Sequence, residues 1–105
     1  MERMQLINDF FTGTINDARI TTAHISLYFA LFYYDSIKDN NGILHAFARD
    51  IIPLAKHSST TYHKCLQDLH DFGYLKYIPS YSSVLGSLIV LGQQSIPGIT
   101  HAKNA

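Results

Sequence analysis

His57-Ser58-Ser59-Thr60-Thr61-Tyr62-His63-Lys64-Cys65-Leu66-Gln67-Asp68-Leu69-His70-Asp71-Phe72-Gly73-Tyr74-Leu75-Lys76-Tyr77-Ile78-Pro79-Ser80-Tyr81 reads as a helix, a stop and a strand in direct succession. Tyr62, Cys65, Leu66 and Leu69 recur at three- and four-residue spacing, the pattern of a helix that buries one stripe. Ser58 and Ser59 offer hydroxyls to start it, and Gly73 is placed to end it. The opposite face carries Thr60, Lys64, Gln67 and Asp71, flanked by His63. Its first half therefore presents hydrogen-bonding and basic groups, and its second half turns acidic. That polarity suits a helix entering a DNA groove N-terminus first, where early residues reach base edges and the positive end of the helix dipole favours phosphate. A solvated face of no special purpose has the same amphipathicity, so the flanking segments decide.

Upstream, a helix is predicted from about Asp50 to Lys56. Pro53 sets its start: deep inside a helix proline loses a backbone bond and clashes with the preceding turn, whereas with Asp50 as cap it falls in the first turn. Lys56-His57-Ser58 is then a tight connection, and the whole of 50–73 has the helix-turn-helix arrangement. Ile43-Leu44-His45-Ala46-Phe47 is a candidate short strand leading into it. Downstream, Tyr74–Ile78 has strand character and Pro79 stops it. Pro79–Gly86 reads as a loop and Ser87–Leu91 as a second strand, so residues 74–91 are expected to form a hairpin, or wing.

The N-terminal part supplies the remaining core. Leu6, Ile7, Phe10 and Phe11 form an apolar patch on a helix predicted over about 4–18, with Gly13 weakening its second half. The patch has two outlets: it packs on the domain, or it pairs with a second copy in a homodimer. Thr21 or Thr22 caps a helix over about 22–38, in which Ile25, Leu27, Tyr28, Phe29, Leu31, Phe32, Tyr33 and Tyr34 surround most of the circumference. Such a helix belongs at the centre of the molecule. Lys38–Gly42 brings turn chemistry to its end. Residues 1–91 are thus expected to be one mainly α domain with a small β-hairpin (α+β), and 92–105 a flexible tail.

Composition restrains the functional reading. Eight basic and eight acidic residues cancel, and 47% of the 105 residues are apolar. That is enough for one domain with a real core, while the neutral balance argues against dependence on many phosphate contacts. The basic excess is local: from Pro53 to Gln67 there are Lys56, Lys64 and two histidines but no carboxylate. Cys65 is the only cysteine and lies on the apolar stripe, which makes it a buried thiol rather than a ligand or nucleophile. Neither a signal-peptide profile nor a run of membrane-spanning length is present, so a cytoplasmic location without membrane contact is expected. The histidines lack zinc-site spacing, no glycine-rich phosphate loop occurs, and the serines have no nucleophile setting; no enzyme activity, metal or cofactor is expected.

Two separated strings carry a family resemblance. His24-Ile25-Ser26-Leu27-Tyr28-Phe29-Ala30-Leu31-Phe32, and Thr61-Tyr62-His63-Lys64-Cys65-Leu66 continuing through Asp68–Tyr77 with Pro79-Ser80-Tyr81 and Gly86-Ser87, resemble the small winged-helix proteins of Bacteroidetes conjugative and mobilizable transposons. The likeness spans about residues 5–91. It implies a winged helix-turn-helix fold and a DNA-binding role, as transcriptional regulator or accessory factor of a mobile element. Members of that family tend to hold a basic residue in the wing, whereas Tyr81–Leu88 has none.

On this reading double-stranded DNA is the partner. Thr60, Thr61, His63, Lys64 and Gln67 face the major groove, Ser58 and Ser59 lie near phosphates, and Lys56 and Lys76 add charge. So few contacts give a monomer weak affinity, and dimerisation would supply the rest. His57 and His63 would strengthen phosphate contact on gaining a proton below neutral pH. The alternative is a winged-helix protein-interaction module, docking through its neutral surface and the wing residues Tyr81 and Val84. A basic face on the 58–73 helix favours the first reading, a mixed or apolar one the second.

Overall fold

The computed structural model describes residues 3–38, 41–80 and 86–91. Four helices and three strands follow one another as α1 (Arg3–Thr14), α2 (Thr22–Lys38), β1 (Ile43–Ala46), α3 (Ala48–Ala55), α4 (Ser59–Asp71), β2 (Leu75–Ile78) and β3 (Ser87–Leu91). The protein is mainly helical with a small antiparallel sheet. No helix among the described residues is long and apolar enough to cross a membrane. The predicted tail beyond Leu91 and the wing residues Tyr81 and Val84 lie outside the described residues, as do parts of the 38–42 turn and of the 79–86 loop.

The central position expected for α2 is observed. Leu27, Tyr28 and Leu31 are fully buried, and Phe10 of α1 stacks on the Tyr28 ring at 3.9 Å between centroids. α1 stops at Thr14 rather than near residue 18, because Asp17 turns the chain. Its carboxylate accepts the backbone N–H of Arg19 and both an Nε and an Nη2 donation from the Arg19 guanidinium, offering the backbone a local alternative to the helix. Gly13 stays helical; the Tyr74 ring lies against it, and a Cβ there would sit 3.0 Å from the ring.

Two corrections concern the middle of the chain. α3 begins at Ala48, capped by the extended backbone of Phe47 with no side-chain bond, rather than by Asp50. Asp50 stands instead inside the first turn, where its charge complements the helix dipole. Pro53 therefore lies within the helix, on its exposed side, where its ring faces solvent rather than core. The second correction is to the hairpin, which is two strands of a three-stranded sheet in the order β1-β3-β2. β1 joins because Leu44 and Ala46 alternate inward beside Ile89 and Ser87 of β3. Gly86 leads into β3 with φ +73°, and a Cβ there would meet the Ala46 carbonyl oxygen at 2.9 Å. Only glycine satisfies both the backbone angle and the approach.

A buried carboxylate ties three of these elements together. Asp35, inaccessible to solvent, accepts the Gly42 N–H at 2.8 Å ahead of β1, and the Arg3 guanidinium of α1 stands 3.7 Å from its other oxygen. The start of α1 is thereby held at the end of α2.

Candidate nucleic-acid interface

α3 ends on Lys56, whose positive φ of 61° makes the left-handed turn from which α4 starts. The Ser26 hydroxyl of α2 donates to the Ala55 carbonyl at 2.6 Å and fixes that turn against the core. Ser58 is the N-cap of α4 as expected, accepting the Thr61 N–H at 3.1 Å and donating to the Thr61 hydroxyl at 3.0 Å. Tyr62, Cys65, Leu66 and Leu69 are all buried. Burial pushes the Tyr62 phenol up to about 12 and raises the Cys65 thiol, which keeps the cysteine protonated and unreactive.

The C-terminal end of α4 is fastened by contacts from elsewhere in the chain. Gly73, with φ 90°, donates to the His70 carbonyl and Tyr74 to that of Leu69, the two bonds of a Schellman stop. Asp68 receives Nε2 of the buried His24 at 2.9 Å. His24 Nδ1 accepts the Thr21 N–H, which leaves Nε2 as the nitrogen that donates. His70 Nδ1 accepts the Tyr77 N–H and so joins the helix to β2. The Arg19 guanidinium lies 4.0 Å over the Phe72 ring, and the Tyr74 hydroxyl donates to Asp17 at 2.5 Å with the Gly13 carbonyl also 3.0 Å away. Hydrogen bonds from Arg19 and then Tyr74 hold the Asp17 carboxyl well below the usual carboxylate range.

The N-terminal half is free of such obligations. Ser59, Thr60, His63, Lys64 and Gln67 are all exposed. His63 Nδ1 donates to the Ser59 carbonyl at 2.9 Å, so in the neutral ring Nε2 is an outward acceptor. Lys64 donates to Asp68 at 2.9 Å, and that bond raises the lysine and lowers the aspartate. Gln67 donates to Asp71 at 2.9 Å. The face is consequently mixed rather than basic: its ammonium and its amide each have a carboxylate one turn on.

The remaining candidates divide. Lys56 is exposed beside the start of α4, whereas Thr61 is half-buried, its hydroxyl engaged with Ser58. Lys76 lies on the far face of the sheet: the alternation that buries Leu75 and turns Tyr77 toward α4 sends Lys76 the other way. Both ring nitrogens of His57 are buried without a hydrogen-bond partner, so they are not presented on the α4 face. His63 and Gln67 share an open groove of about 480 Å³ between α4 and the sheet, lined also by Phe47, Tyr77, Pro79 and Ser80. Sequence reasoning passed over Arg49, an exposed cation beside this groove with its guanidinium 4.1 Å over the Phe47 ring. Nothing in the run Phe47-Ala48-Arg49 marks it until α3 is known to start at Ala48. Among the described residues, no group of three or more His, Cys, Asp or Glu side chains could hold a metal ion.

Comparison with known proteins adds no relative: no family model, curated protein or solved structure matches the chain.

Proposed function

We propose that the chain is a winged-helix DNA-binding protein that places the first half of α4 in the major groove. The order of its elements and the pairing of β2 with β3 behind α4 support the winged-helix reading. One observation carries the DNA reading: the hydroxyl, imidazole, ammonium and amide groups of Ser59 to Gln67 are left exposed on a face made mixed by Asp68 and Asp71, while the long-range anchor of α4, His24 on Asp68, lies toward its other end. A helix held at its C-terminus and open at its N-terminus is the geometry of a reader. Lysine suits guanine and glutamine adenine, and the exposed Lys56 beside the start of α4 would serve phosphate. The resemblance of sequence would make it a regulator or accessory factor of a mobile element.

The test is fluorescence anisotropy of labelled duplexes at low and then physiological salt, with wild type beside Lys64→Ala. Salt-sensitive binding that Lys64→Ala abolishes is expected, with a shallow salt slope because so few cations are available. Unchanged binding by the variant rejects α4 as the reader. A second reading, a protein-interaction module, is favoured by the pairing of Lys64 with Asp68 and of Gln67 with Asp71. Absence of binding even at low salt decides for it.

A further inference from the structure

We infer that a second copy of this chain docks on the face formed by α1 and α2, through a surface different from the patch that the sequence marks. Of that patch, Leu6 and Phe10 are buried in the chain's own core and Ile7 is half-buried, so only Phe11 faces outward. The exposed apolar residues of the two helices are instead Met4, Phe11 and Ile15, and Phe29, Tyr33 and Ile37, from 37% to 74% accessible.

These six form one surface. Arg3 meets Asp35 at one end of the helix pair, while farther along α1 Phe10 stacks on Tyr28 and Phe11 lies 5.8 Å from Phe29. α1 therefore runs antiparallel to α2. An antiparallel course sets its stripe Met4, Asn8, Phe11, Ile15 alongside the stripe Ile37, Tyr33, Phe29, with Phe11 on Phe29 as the point where they meet. At their stated exposures the six side chains present on the order of 600 Å² of largely apolar surface, at the upper end of what a monomer leaves uncovered and close to the roughly 800 Å² per partner of a standard interface.

The occupant follows from charge. Neither stripe contains a charged residue, and Arg3, the one cation of α1, is directed to the buried Asp35. A lipid surface calls for a basic rim around the apolar face, whereas α1 offers only Arg3, directed to Asp35, and α2 only Lys38 at its very end. A two-fold contact requires a surface complementary to itself, and an uncharged ridge of residues spaced four apart on α2 packs against its own copy without bringing like charges together. The dimer deepens the DNA reading, since two copies of α4 would supply the affinity that one lacks.

The test is sedimentation of the full-length chain between about 1 and 100 μM, the weaker end of affinities for interfaces of this size. The expected result is a species of twice the 11.9 kDa chain mass. Tyr33→Glu and, separately, Ile15→Glu are expected to weaken the dimer at least tenfold, roughly the effect of an interface hot spot. Both side chains are more than half exposed, so circular dichroism is expected to show each variant folded. A wild type monomeric throughout the range overturns the inference, and so does a dimer that both variants leave intact. DNA binding by a monomer would end the dimer and keep the proposed function; a dimer that ignores DNA would do the reverse.

Discussion

The two ends of α4 are built on different principles. At the C-terminal end two polar groups are joined to residues far away in the chain, Asp68 to His24 across 44 residues and Tyr74 to Asp17 across 57, and His70 is joined to the backbone of the next element, β2. At the N-terminal end every bond is local, Ser58 to Thr61, His63 to Ser59 and Lys64 to Asp68, each within one helical turn. Long-range bonds set where the helix lies; local ones set only how it begins. A surface meant for a partner can be rebuilt residue by residue only if the fold does not depend on it, and the second kind of end allows that.

Asp68→Ala challenges this contrast most severely. It strands the donating Nε2 of His24, which is only 5% exposed, and is expected to cost about 2 kcal/mol in urea unfolding, the penalty of an unsatisfied buried donor. Tyr74→Phe comes next. Losing a hydroxyl that donates to Asp17 beside the Gly13 carbonyl should cost about 1.5 kcal/mol by the same measurement.

Acid sharpens the comparison at the same end. Asp17 and Asp68 are both lowered, by hydrogen bonds from Arg19 and from Lys64 first. The folded state thus binds protons less readily than the unfolded one. Their stabilisation is complete above the unfolded value of about 3.9 and is lost as pH falls below it toward the folded values. Thermal melts from neutral to strongly acid pH should show that loss, and Asp17→Asn should flatten it.

The open end should respond less. Ser58→Ala removes the cap and is expected to lower stability by about 1 kcal/mol. Lys64→Ala, which breaks only an exposed one-turn pair, should leave the urea midpoint nearly unchanged while removing DNA binding. If Lys64→Ala destabilises as much as Asp68→Ala, the distinction between anchored and open ends fails.

The same division explains what could be read beforehand. The start of α2 and the limits of α4 were legible because Thr21, Ser58 and Gly73 act within about a turn of the residues they cap or stop. The start of α3 was not, because Phe47 caps with backbone alone and the nearest capping residue, Asp50, works from inside the helix. β1 showed its strand character but not its partner, since Leu44 pairs with Ile89 from the far end of the domain. For the site, spacing located the exposed face of α4. It also held the Lys64–Asp68 pair, four residues apart, which turns a basic patch into a neutral one. His24, Asp17 and Arg19 hold α4 in place from segments whose local pattern says nothing of it.

The sheet order has a consequence for how the chain folds as it is made. β3 is central yet last of the three, and β1 and β2 each pair with it alone. Four helices can emerge from a ribosome and begin to pack while no sheet exists at all; β1 waits for a partner more than forty residues downstream. Sheet formation is then a single late closure with high contact order, expected to limit the folding rate. A nascent chain stalled before Ser87 would carry two strands with nothing to pair with, the form most exposed to aggregation.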